Sequence, residues 1–266
     1  MTTDHRLPLS AVLITRNAAA QLDECLASVA FCDDIVVVDS GSEDATREIA
    51  ERHGARVIQS EWRGFGPQKQ FAVEQARHDW VLCIDADERV SDLLRQSMGA
   101  VTCPRSGVPG TQSESAPTLV AYRFARCNRF MGRYLKHGEG YPDWSLRLFD
   151  RRVARWSDDP VHEKVLVNCE VGTLPGDLLH ESAESLETYF AKQNRYSTLA
   201  ANEALARGER ATVLQLLLSP GLRFIKFYFF RLGLLDGLPG LVHILVGCSA
   251  SFAKYAKMFA FWKNSQ

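Results

Sequence analysis

Between residues 10 and 90 the chain alternates short apolar runs with stretches of helical spacing, and no other feature restricts its fold as tightly. SAVLIT at 10–15 ends in the polar Arg16-Asn17, after which Leu22, Leu26 and Val29 recur at helical intervals. The β-branched run from Asp34 to Val38 leads into Ser42-Glu43-Asp44, a helix start with acidic residues facing the dipole, and Gly54 ends that helix. ARVIQ makes a third strand, Pro67 suits the first turn of a helix reaching about Ala76, and WVLCI is a fourth, fully apolar strand. This alternation implies an α/β fold, a Rossmann-like and mostly parallel sheet with helices on both faces, in which ligands collect at the carboxyl ends of the strands.

Two of those ends carry acid. DWVLCIDADERV closes its apolar run on Asp85 and Asp87, which strand alternation points the same way, with Ala86 turned away. Such a pair repels itself unless a cation, hydrogen bonds or a proton offsets the charge. Oxygen ligands suit Mg or Mn, ions that complete their shell with water and substrate phosphates, so a diphosphate-bearing substrate is expected. In VVVDSGSEDAT, Asp39 follows four apolar residues and can accept hydrogen bonds from a nucleobase or ribose; the plainer role for this segment is a helix cap through Ser42 and Asp44.

Other polar residues fall at similar places. Lys69 follows Gly64, Gly66 and Pro67 near the start of its helix, where backbone donors and an ammonium can meet an anion, although a solvated lysine is the default there. His162, at the head of an alternating run, and His180, at a strand end, are each candidates for the metal shell or for phosphate, against the ordinary structural histidine. Arg147 is expected on the same strand face as Asp143, within range of a diphosphate or acceptor phosphate, or else in a surface ion pair.

Beyond the alternating region, residues 99–117 offer almost nothing to bury and are expected to form a mobile surface insert. LVAYRFA, WSLRLF, RVARW and HEKVLV are short alternating runs that predict a mixed or antiparallel later part of the sheet, and 185–207 reads as a helix. Residues 1–211 therefore form the expected catalytic domain and 212–266 a helical appendage. In the appendage Gly237 to Ala253 carries no formal charge, five aromatic residues lie between Phe224 and Phe230, and Gly237, Pro239 and Gly240 are expected to break the apolar stretches. Flanked by Arg223, Lys226, Arg231, Lys254 and Lys257, these helices are expected at a membrane interface rather than across it; the alternative is packing on the domain or in a homo-oligomer.

A length of 266 residues suits one sizeable domain with an appendage, and a net charge of -1 supplies no field to draw nucleic acid. Seven cysteines, an odd number with no CxxC pair, read as reduced core residues. The N-terminal MTTDHRLPLS lacks the basic and apolar segments of a secretory signal, so a cytoplasmic enzyme is expected.

VLITRN, VVVDSGSEDAT, the Lys69 helix and DWVLCIDADE follow one another as in the inverting family two glycosyltransferases, which the chain resembles. More narrowly, GFGPQKQFA, YPDWSLRLF, VHEKV and RLGLLDGLPG resemble bacterial glucosyltransferases of the lipopolysaccharide inner core. The resemblance implies a GT-A fold, a nucleotide-sugar donor such as UDP-glucose, a divalent cation, and transfer with inversion to a lipid-linked saccharide acceptor at the inner face of the cytoplasmic membrane. It places Asp39 at the nucleoside, Asp85 at the ribose or metal, Asp87 on the metal, and Thr15 and Arg16 around the nucleobase. Single-displacement inversion needs a base opposite the leaving diphosphate, and the resemblance favours Asp143 over Glu139 and Glu163.

A phosphatase of the haloacid dehalogenase type also uses an Asp-x-Asp pair, but after its first strand and before a small or hydroxyl residue; here the pair follows the fourth strand and continues Glu88-Arg89. A nucleotidyltransferase would want a glycine-rich phosphate loop where TRNAAA stands. A membrane-associated scaffold without turnover is the non-enzymatic alternative, since a fold alone never establishes activity.

Overall fold

The computed structural model describes residues 6–102, 119–159, 163–181 and 185–263. The chain divides into two compact units, Met1–Arg126 with Trp144–Glu181 and Cys127–Asp143 with Ser182–Gln266. This division differs from the expected boundary at 211/212: the second unit also takes the helix from 186 and a segment from the middle of the chain.

The first unit begins as the alternation predicts. Strand β1 (Leu7–Thr15) is followed by helix α1 (Ala19–Ser28), β2 (Cys32–Asp39), α2 (Thr46–Arg52), β3 (Arg56–Gln59), α3 (Phe65–Glu74) and β4 (Trp80–Cys83). β1 pairs in parallel with β2 and β4, and β2 in parallel with β3. After β4 come β5 (Glu88–Val90), α4 (Asp92–Thr102), β6 (Ala121–Phe130), β7 (Arg133–Tyr134), β8 (Asp143–Asp150), β9 (Ala154–Trp156), β10 (Val165–Val167) and β11 (Gly172–His180). The large sheet runs β3-β2-β1-β4-β8-β6-β11-β5, with β8 antiparallel to β4 and β11 antiparallel to β5, so its later part is mixed as expected. Residues 99–102 belong to α4, where Met98 and Thr102 are buried, so the expected insert does not begin at 99; its remainder lies outside the described residues.

The pleat sorts the core. Leu9, Ala11 and Leu13 of β1 join Ile35, Val37 and Leu82 against Leu22 and Leu26 of α1, Ile49 of α2, and Leu94 and Met98 of α4. On the opposite face Val12, Val36, Val38 and Val81 meet Ala72 and Val73 of α3 and Trp156 of β9. Covering both faces is what lets the central strands be apolar throughout. One charge is built into this core: Asp34, 3% exposed, accepts hydrogen bonds from Ser10 Oγ (2.8 Å), Arg56 Nε (2.9 Å) and the Arg77 amide (2.9 Å). Burial opposes its ionisation, but these donors prevail and hold the carboxyl below its usual value. Cys25, Cys32, Cys83, Cys127 and Cys248 are buried thiols outside any disulfide, as expected of core cysteines, whereas Cys169 is exposed.

In the second unit β7 forms a hairpin with the end of β6. Helix α5 (Leu186–Ala206) is capped by Ser185, whose Oγ accepts the Thr188 amide at 3.1 Å, and α6 (Val213–Ile225) opens on a capping box between Thr212 and Gln215. A π-helical turn, Lys226–Phe230, and a 3-10 turn, Gly233–Asp236, lead to α7 (Gly237–Lys263). Gly237, Pro239 and Gly240 were expected to break the apolar segment. They instead open α7, because proline in a first turn gives up only an amide that has no partner there. Lys257 Nζ pins α7 to α5, its three protons shared among Asn194 O and Oδ1, Ser197 Oγ and Thr198 Oγ1 at 2.7–2.8 Å.

Candidate active site

A cavity of about 610 Å³ lies in the first unit where β1 and β4 end. Thr15, Arg16 and Asn17 line it from the end of β1, Asp85, Ala86 and Asp87 from beyond β4, Lys69 and Phe65 from α3, and Glu163 and His180 from later in the chain. The parallel strands thus deliver their ends to one opening, as a doubly wound sheet does.

The aspartate pair is not on a strand. β4 stops at Cys83, and Asp85 to Glu88 form a turn closed from both sides: the Glu88 amide donates to Asp85 O (2.9 Å) and the Asp85 amide to Glu88 Oε2 (2.9 Å). Strand alternation therefore does not orient the two carboxylates; their partners do. Asp85 Oδ2 accepts from Arg147 Nη2 at 2.6 Å, and its Oδ1 lies 3.2 Å from Lys69 Nζ. Burial works against a charge on Asp85, but the Arg147 and Lys69 charges outweigh it and hold the carboxyl far below its ordinary value. Glu88 is fully buried, 3.3 Å from the same Arg147 nitrogen, and burial together with the Asp85 charge raises its pKa. Asp87 has a different partner, His180 Nε2 at 3.1 Å. That contact follows from register, since β11 sets His180 opposite Glu88 and the Glu181 amide donates to Asp87 O at 2.8 Å.

Lys69 is no solvated lysine. It is 7% exposed, its Nζ lies 2.8 Å from Glu163 Oε1 as well as beside Asp85, and it stands 4.9 Å from the centre of the Trp156 ring. α3 reaches this depth because Gly66 has no side chain: a Cβ there would meet the Ser157 carbonyl oxygen and lie 2.6 Å from that of Asp159.

The other expected residues are placed unevenly. Thr15 and Arg16 line the cavity; Asp39 does not, being fully buried with its carboxylate accepting from Thr15 Oγ1 (3.2 Å), the Ser42 amide (2.9 Å) and Ser42 Oγ. It ties the end of β2 to that of β1 and fixes the loop that Asn17 also grips through the Ser42 hydroxyl (2.8 Å) and the Glu43 amide (2.9 Å). Arg147 was expected to face a diphosphate. Instead it lies behind the cavity wall, buried, because the pairing of β4 with β8 points it at Asp85 and Glu88. Asp143, half-buried, opens β8 and belongs to the second unit, as does Glu139, whose carboxylate is paired with Arg223. His162 lies outside the described residues. Sequence reasoning passed over the cavity residues Trp62 and Phe65, packed edge to face at 4.9 Å and each nearly half exposed; EWRGFG, two aromatics around a glycine just ahead of a helix, was the available signal.

The lining bears on a cation. Asp85 and Glu163 are matched by Arg147 and Lys69, while Asp87 is met by the imidazole of His180. Among the described residues no three His, Cys, Asp or Glu side chains form a ready cage. Asp85 is committed to two cationic partners, whereas Asp87 and His180 present a carboxylate and an imidazole to the cavity. This donor set fits a Mg- or Mn-type ion that draws the rest of its shell from substrate phosphate and water.

Known proteins are similar to this chain. The model of glycosyl transferase family 2 matches residues 10–101, which span β1 to α4 and both ends of the Asp85 turn. The chain is similar to the lipopolysaccharide core biosynthesis glycosyltransferase LpsC of Rhizobium meliloti, with 32% identity across 96% of this chain and 93% of that protein. It is 29% identical to an uncharacterized glycosyltransferase of Rickettsia bellii, across 94% of this chain and 85% of the relative. Among solved structures it is similar to the mannosyltransferase PcManGT from Pyrobaculum calidifontis in complex with GDP-Man and Mn2+, at 16% identity and a TM-score of 0.49, covering 98% of this chain and 76% of that one. The chain has a mixed α/β architecture and belongs to glycosyl transferase family 2.

Proposed function

We propose that this glycosyltransferase moves a sugar, glucose from UDP-glucose being the first choice, onto a lipid-linked saccharide of the lipopolysaccharide inner core, with inversion at the anomeric carbon. It would work peripherally at the cytoplasmic face of the inner membrane. The observation that carries the reading is the convergence of Asp85, Asp87, Lys69 and His180 on one cavity at the ends of β1 and β4. Similarity to LpsC across nearly the whole chain supports the acceptor class.

In this reading Thr15 and Arg16 border the nucleoside, Trp62 and Phe65 offer flat apolar faces, and the Lys69 ammonium, held between Asp85 and Glu163, approaches the phosphates. Arg147 acts through Asp85, keeping that carboxylate ionised and fixed. Asp87 and His180 would hold a divalent cation, which supplies neutralisation of the charge that grows on the departing diphosphate. The bond from the anomeric carbon to the diphosphate oxygen breaks as the acceptor oxygen attacks from the opposite face, and the hydroxyl proton passes to Asp143. The resemblance, rather than pairing, ranks Asp143 above Glu139, whose carboxylate is paired with Arg223.

The test is a screen of UDP- and GDP-sugars with Mn, Mg or chelator, using a truncated lipopolysaccharide core as acceptor. Mass analysis detects the transferred sugar and NMR reads its anomeric configuration. Metal-dependent transfer with inverted configuration is expected; a retained configuration, or no turnover of any donor, contradicts the proposal.

A further inference from the structure

An amphipathic helix normally turns its apolar face inward. α6 does the reverse. None of its residues is buried, and Leu214, Leu217, Leu218, Leu222 and Ile225 form an outward stripe that Phe229 continues into the π-helical turn; Leu214, Leu217 and Leu222 are 66%, 65% and 63% exposed. The other face is the one that docks: Ser219 Oγ lies 2.6 Å from Ser251 Oγ of α7, and Arg223 Nε donates to Glu139 Oε2 at 3.1 Å.

Charge identifies the occupant of the outward face. The chain as a whole is close to neutral, yet from residue 210 onward Asp236 is the only acid, and it is buried, while Arg210, Lys226 and Arg231 are exposed around the stripe. A second copy seated on this face would bring two basic rims together. An anionic bilayer neutralises the rim and takes up the leucines. α6 and the π-helical turn together make an 18-residue helix, Val213–Phe230, which at about 1.5 Å per residue comes close to a hydrocarbon core about 30 Å thick. It carries Lys226 within its length and Arg223 is tied by its ion pair to Glu139, so the helix lies along the surface.

We propose that α6 and the aromatic turn after it form a docking surface for an anionic lipid bilayer. Arg223 of α6, Arg231 just after the aromatic turn and Asp236 of the 3-10 turn hold the segment that ends at Asp143. Gly138 donates its amide to Arg231 O (2.8 Å), Arg231 Nη2 donates to Tyr141 O (2.9 Å), and Asp236 accepts from the His137 amide (2.8 Å). Gly247 of α7 leaves the space that the Glu139 carboxylate fills beside Arg223. Docking therefore carries residues 137–143 to the lipid surface, where a lipid-linked saccharide would be met.

The experiment uses the full chain in sedimentation with vesicles of phosphatidylcholine alone or mixed with phosphatidylglycerol, alongside light scattering and, without lipid, thermal shifts induced by UDP with Mn. Wild-type protein is expected to sediment with the mixed vesicles and to stay in solution with the neutral ones. R210Q/K226Q should weaken partitioning about 30-fold, from about 1 kcal/mol for each basic residue near the surface. L217E/L218E should abolish it, and both variants should keep the wild-type thermal shift with UDP. Equal sedimentation of wild type and L217E/L218E overturns the proposal, as does a dimer that L217E/L218E dissociates while the wild type ignores vesicles. Vesicle binding without any UDP shift leaves docking in place and counts against the transfer reading instead.

Discussion

Lys69, Asp85 and Arg147 form an ion chain whose members cannot be removed singly at low cost. Replacing Asp85 by Asn leaves Arg147 facing Glu88 alone and Lys69 facing Glu163; by the behaviour of buried pairs the loss is about 3 kcal/mol, measurable in urea unfolding. The pH dependence has a definite sign. Asp34 and Asp85 have folded pKa values below those of the unfolded chain. Their stabilisation is therefore complete above the unfolded carboxylate range, about pH 4, and is lost as pH falls through the lower folded values. Acid titration of Asp34→Asn should show a shallower loss of stability below about pH 4 than wild type; an unchanged slope would mean Asp34 is not held ionised. Why Lys69 and the aspartates were visible in sequence while Arg147 was misdirected is a matter of range. A carboxylate ending an apolar run, or a lysine after GFGP, is a local pattern, but the side of the sheet that Arg147 faces depends on β8 pairing with β4, more than sixty residues away in the chain.

Elements place these side chains, and glycine sets how closely they pack. Gly66→Ala should push α3 away from the Ser157–Asp159 backbone, withdraw Lys69 from Asp85, and lower the melting temperature together with UDP affinity. Retained affinity would mean that α3 positions nothing in the site. In the second unit, Glu139→Gln should keep most turnover, whereas Asp143→Asn should cost at least about a hundredfold in transfer and spare donor binding. The opposite ranking would make Glu139 the base and the Arg223 pair incidental. Helix α7 was misjudged because glycine and proline mark both the ends and the beginnings of helices; the run GLPG was expected to interrupt an apolar stretch, and it starts one. The Asp87–His180 contact was beyond sequence reasoning for a stronger reason. The two residues are 93 apart and meet only through the register of β11 with β5, which no local periodicity encodes.

At the scale of the whole molecule, the parallel half of the sheet was legible because each strand and helix there announces itself by spacing, from SAVLIT to WVLCI. The boundary between the units was not, since α5 is sequence-adjacent to the first unit but shares its small core, around Ala201, Ala204 and Met258, with α7. Of the aromatic pair lining the cavity, Trp62 sits where periodicity is silent, between β3 and α3, and Phe65 is the first residue of α3. What unites the fold with the proposed chemistry is the opening at the ends of β1 and β4, where the proposal has a diphosphate enter together with a cation at Asp87 and His180. Calorimetric titration of UDP with Mn or with chelator, on wild type and Asp87→Ala, tests this most directly. Wild type should bind UDP with Mn and lose most of that affinity with chelator, and Asp87→Ala should bind weakly and indifferently to Mn. Equal UDP affinity in wild type and Asp87→Ala, unmoved by the metal, would contradict the account at its centre.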